Sequence, residues 1–129
     1  MARTVRCTVA TRTGRKAKAL QFHEAAGLIT DAVGTATDLA DAFVTLLVHA
    51  GVAAADVLCC ARLGEHAIGD NHAEAVALLA RVDKRLAADL GMLLGMKTRA
   101  GYDHRPVGAE DRRRAQRAAA RLVDAARLV

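Results

Sequence analysis

Three groups of polar residues stand out from an otherwise apolar chain of 129 residues. The first is Asp41, Thr45, His49 and Asp56, whose spacings of four, four and seven put them on one face of a helix. Carboxylates and an imidazole on one face can bind a ligand or move a proton where that face lines a cleft. Otherwise they meet solvent or pack against the last helix. The second group is Glu65, His66, Asp70 and His72. These are metal-ligand types, but the spacing matches no common zinc pattern, so no bound metal is expected. The third is Arg99-Ala100-Gly101-Tyr102-Asp103-His104, which brings a guanidinium, a phenol, a carboxylate and an imidazole into one short stretch.

Several chemistries lack their motifs. There is no glycine loop of the P-loop type, no CxxC pair and no HExxH, and no nucleophile elbow. One tyrosine and two phenylalanines cannot build a platform for stacking successive bases. No cofactor is expected. The cysteines are Cys7, Cys59 and Cys60. An odd count with two adjacent on a helix does not read as a disulfide framework, and reduced thiols in a cytosolic core are expected.

These groups must be positioned by helices. Hydrophobic residues make up 53% and aromatics 2%. The abundant alanine favours helix because it loses no side-chain entropy. A first helix is predicted over 14–33, with Phe22, Ala26, Ile29 and Val33 on one face and Gly34 as its stop. A second, capped by Asp38, runs over 38–63 with a wide apolar face. That face exceeds what one bundle core covers, which predicts a homodimer. Its longest apolar run, 42–55, contains Thr45 and His49 and suits a buried core helix, so no membrane span is expected.

Residues 64–71 read as a loop, and Asn71 with Glu74 starts a third helix. Asp83 caps a fourth segment bearing Leu86, Leu90, Leu93 and Leu94, unless the two form one bent helix. Gly101 and Pro106 close it. A last helix runs over 109–128 and buries Ala115, Ala119, Leu122 and Ala126. The fold class is therefore all-α, an antiparallel up-and-down bundle of four to five helices over 12–129. Residues 1–11 are expected to be a flexible basic arm.

Charge is unevenly placed along this chain of net +5. Residues 1–20 hold six basic and no acidic groups, residues 21–96 four basic and ten acidic, and residues 97–129 nine basic and four acidic. Basic ends invite a polyanion such as RNA, or simply solvate a helical surface. No secretory signal is visible, which predicts a cytoplasmic protein.

The order of features over 15–128 resembles the HEPN family of small helical-bundle proteins. It has a long central helix around Ala53-Ala54-Ala55-Asp56-Val57-Leu58-Cys59-Cys60-Ala61, then His72 at the next helix start. A Leu-rich helix ends in Arg99-x-x-Tyr102-Asp103, and an Ala-rich final helix follows. The resemblance implies a metal-independent endoribonuclease of the toxin–antitoxin or defence kind, because many members carry Arg, four to six residues, then His between the last core helices. Arg99 and His104 match. His104 would move the proton of an attacking ribose 2′-hydroxyl, and Arg99 would stabilise charge on the phosphoryl oxygens. Two subunits would share one cleft, with an antitoxin-like partner. Catalytic members usually have a polar residue after the Arg and Tyr two residues after the His. Here Ala100 and Pro106 stand there. Arg99-Ala100-Gly101-Tyr102-Asp103 is also similar to a branch lacking the catalytic His, which implies a non-catalytic module binding a nucleotide or a partner protein. Tyr102, Asp103, His49 and Asp56 would then serve binding; a purely structural helical-bundle homodimer is the remaining reading of the sequence.

Overall fold

A computed structural model describes residues 3–33 and 37–129. Five helices account for most of it: α1 (Val9–Val33), α2 (Ala40–Leu63), α3 (His72–Ala80), α4 (Lys84–Gly101) and α5 (Ala109–Arg127). The all-α bundle is as expected from the sequence. Two short strands, β1 (Thr4–Arg6) and β2 (Glu65–Ala67), pair antiparallel with Val5 opposite His66.

α2 is the central helix and packs against α1, α4 and α5. Its core is built from small side chains. Ala50, Ala53 and Ala54 on α2 and Ala115, Ala118 and Ala119 on α5 are fully buried, which lets the helix axes approach closely. Gly51 marks the tightest point: a Cβ there would collide with Leu93 of α4 and press on Leu122 of α5. The apolar surface of α2 is thus absorbed within one protomer and does not by itself require a second copy. α2 is also long and apolar enough to cross a membrane (mean hydropathy 2.0), but 72% of that window is buried inside the protein.

The ends of the helices follow side-chain chemistry. Asn71 accepts the Glu74 N–H (3.0 Å) and Asp83 accepts the Leu86 N–H (2.9 Å), so α3 and α4 are separately capped helices rather than one bent helix. Gly64 takes a left-handed conformation (φ 75°), and its N–H closes α2 on the Cys60 carbonyl. α5 begins at Ala109, and its expected core residues Ala115, Ala119, Leu122 and Ala126 are all buried.

Several expectations are corrected. Asp38 does not cap α2; it lies in a 3-10 turn, Thr37–Leu39, and Leu39 precedes the helix without a side-chain cap. Helix α1 starts at Val9, not near residue 14, because the Thr8 hydroxyl accepts the Thr11 N–H (3.0 Å). Residues 4–11, expected as an arm without regular structure, form β1, a disulfide and the first turn of α1. Gly34, read as the stop of α1, lies outside the described residues, as does the side chain of Val33.

The cysteine expectation is overturned as well. Cys7 and Cys60 are joined by a disulfide (S–S 2.01 Å), and Cys59 alone is free. Spacing could not reveal this, because the partners are 53 residues apart and meet only once β1 lies on β2. The Cys7 N–H donates to the Gly64 carbonyl (2.9 Å) at the same junction.

Candidate functional site

The α4–α5 corner is fixed at both ends. The N–H groups of Tyr102 and Asp103 donate to the Thr98 carbonyl (2.9 and 3.0 Å) and close α4. The Asp103 carboxylate then folds the chain back by accepting the Arg105 backbone N–H (2.9 Å). It also accepts the Arg105 guanidinium through both oxygens (3.2 and 3.0 Å). Further on, Val107 is buried and its N–H donates to Asp41 of α2 (2.8 Å). The first residue of the polar stripe therefore anchors this corner.

On that corner, His104 projects into solvent with 89% of its side chain exposed, and its Nδ1 lies 3.5 Å from Asp103 Oδ1. Arg99 sits half-buried in the last turn of α4. The Arg105 hydrogen bonds, with a smaller contribution from the Arg99 charge, hold the Asp103 carboxyl down at about 2. Asp103 thus touches His104 and Arg105 and feels the charge of Arg99. Tyr102 is 82% exposed. The nearby basic surface of α5 is partly compensated: Arg113 pairs with Glu110 (2.9 Å) and Arg114 with Asp111 (3.7 Å).

The rest of the polar stripe goes elsewhere. His49 stacks on Phe22 of α1, with ring centroids 5.3 Å apart. Asp56 receives Arg15 of α1, whose Nε donates to Oδ2 at 2.9 Å and whose Nη2 lies 2.9 Å from the same oxygen as an ion pair. His66 Nδ1 is 3.8 Å from Asp56 Oδ1 and donates to the Ala67 carbonyl (3.0 Å). Burial pushes the Asp56 carboxyl above its ordinary value, against the pull of Arg15 and His66. The stripe is one line on the helix but meets three different environments.

Asp56 also lines a cavity of about 240 Å³ between α2, the segment from β2 to α3, and α4. Leu78, Leu90, Leu94 and Val52 supply its apolar lining, and Asp70, His72 and Lys97 its polar part. Cys59 is on the wall, its thiol pushed up to about 12 by burial and by the Asp56 charge, so it is inert as a nucleophile at neutral pH. His66 and His72 part company: His66 faces Asp56 and His72 faces the cavity. Among the described residues no three His, Cys, Asp or Glu side chains come together as metal ligands.

Arg15, Lys97 and the Asp89–Arg121 pair were not singled out by spacing. Asp89 is 6% exposed and receives Arg121 through two 2.8 Å bonds. A signal existed for this one. Asp89 falls among Leu86, Leu90 and Leu93 on the apolar face of its helix, and a buried carboxylate demands a cationic partner.

No known protein family, curated protein or solved structure matches this chain.

Proposed function

We propose that the chain is an HEPN-like protein with an RNA-associated role, and that the α4–α5 corner is a metal-independent endoribonuclease site completed in a homodimer. One observation carries the reading: a single carboxylate, Asp103, lies beside His104 Nδ1 and within the field of Arg99. A carboxylate beside Nδ1 can align an imidazole and leave Nε2 for proton transfer. Arg99 supplies the positive charge that a phosphoryl transition state needs. In this reading an antitoxin-like partner covers the corner when the enzyme is silent.

The second reading is a non-catalytic module that binds a nucleotide or partner protein through the same corner. It is favoured by the openness of His104, 89% of whose side chain is exposed. Labelled RNA separates the two. For the enzyme, Arg99→Ala and His104→Ala should each reduce cleavage about 100-fold or more, with circular dichroism unchanged. Cleavage should survive a chelator and leave cyclic-phosphate ends. Wild-type protein that cuts nothing, or His104→Ala that cuts like wild type, ends the catalytic reading. Weakened nucleotide or partner binding by Arg99→Ala alone then supports the module.

A further inference from the structure

The α4–α5 corner leaves a well-formed cavity of the molecule unused. It lies at the other side of α4, where Asp56 of α2, the turn before α3 and Lys97 of α4 converge on about 240 Å³. We propose that this cavity binds a free apolar α-amino acid.

Three observations define the ligand. The first is size. Pockets for drug-sized ligands measure about 300–1,000 Å³, so a cavity of about 240 Å³ is too small for a nucleotide and suits a single-residue metabolite. The second is the lining. Val52, Leu78, Leu90 and Leu94 surround the interior, and their methyl groups call for a branched or linear aliphatic body. The third is charge. Asp70 on the turn before α3 and Lys97 near the end of α4 both line the cavity, and neither has an ion-pair partner among the described residues. Unpaired charges of opposite sign on two separate walls match a zwitterion: its ammonium toward Asp70 and Asp56, its carboxylate toward Lys97.

Asp56 sharpens the choice of head group. Arg15 occupies Oδ2, while Oδ1 is left with His66 at 3.8 Å. That is beyond hydrogen-bonding distance, so the oxygen retains capacity for a donor such as an ammonium group. The wall that carries Asp70 is itself held in place. The Ile68 N–H donates to the Arg3 carbonyl (3.0 Å), and the Arg3 guanidinium lies over Gly69. The site is thus a preformed one, which lowers the ordering cost of binding a small ligand.

The test is calorimetric titration of the full chain with L-leucine, paired with amide chemical-shift mapping. Three probes each remove one feature: isocaproate lacks the ammonium, isoamylamine lacks the carboxylate, and glycine lacks the apolar body. Each should bind at least tenfold more weakly than leucine. Lys97→Gln should weaken leucine and isocaproate but leave isoamylamine unchanged. Asp70→Asn should do the converse. Both side chains are exposed and unpaired, so folding is retained, as circular dichroism checks. Ala55→Met, which fills the cavity from α2, should abolish binding, and the thermal transition of that variant shows whether it folds. No leucine binding at millimolar concentration overturns the proposal. So do shifts confined to residues outside the cavity, or adenosine monophosphate binding there in preference to leucine. RNA cleavage is not read in any of these arms, so this site and the α4–α5 corner stand or fall separately.

Discussion

At the α4–α5 corner the polar contacts are mostly local: Asp103 holds Arg105 two residues on and touches His104 next to it. At the lower end of α2 they are distant. Asp56 reaches Arg15 across 41 residues and Cys60 is bonded to Cys7 across 53. The corner is exposed and its charges are solvated; the lower end of α2 is largely covered, and burial shifts what titrates there. Local, wet contacts shape a surface, and distant, dry ones hold the fold. The corner should therefore tolerate substitution at little cost to folding, while the base of α2 should not.

The largest effect expected is from the disulfide. Linking residues 53 apart limits the unfolded chain, which corresponds to about 4 kcal/mol in the loop-entropy description. Cys7→Ala, or wild type kept in dithiothreitol, should lose stability of that order in urea unfolding. An unchanged midpoint on reduction would show that β1 is held by its other contacts alone. Next in size is the ion pair beside it. Arg15→Ala leaves Asp56 covered without its cation. The loss should be about 2 kcal/mol, less than the ~3–5 of a fully buried pair because water reaches both groups. Arg105→Ala, at the exposed corner, should leave the unfolding midpoint where it is. Equal losses for the two variants would erase the contrast.

The smallest effect is on pH dependence, and here the two regions should have opposite signs. Asp56 is raised above its unfolded value, so the folded state holds that proton more tightly. Its contribution to stability is present in acid and is lost as pH rises through the folded pKa. Asp103 is held at about 2. Its contribution, small because water screens the exposed Asp103–Arg105 pair, is present above the ordinary carboxylate range and is lost as pH falls toward about 2. Carboxyl carbon NMR should show Asp56 titrating well above Asp103. The reverse order would mean that burial does not dominate at Asp56.

The same division governs what could be read from the sequence. Helix periods, the Asn71 and Asp83 caps and the buried face of α5 follow from neighbours three and four residues apart, and all appear as expected. The corner is likewise legible as a segment, because Arg99 to His104 are consecutive. Thr8 caps α1 through a local signal, but it lies outside the apolar period of that helix, so hydrophobic spacing alone does not point to it. The β1–β2 pair, the disulfide and Arg15 on Asp56 were illegible for a different reason. Each joins segments whose meeting depends on how α1 packs against α2, and spacing carries no information on that. The polar stripe shows both sides. Its alignment on one face was correct, but only the tertiary neighbours decide that Asp41 takes an amide, His49 a ring and Asp56 a guanidinium.

The bond between Cys7 and Cys60 has a topological consequence. It closes residues 7 to 60 into a covalent ring that contains all of α1 and most of α2. Within that ring the connection between the two helices is no longer the only tie between them. A single backbone cut there would open the loop without releasing either helix, so the chain has, in effect, two routes from its first helix to its central one.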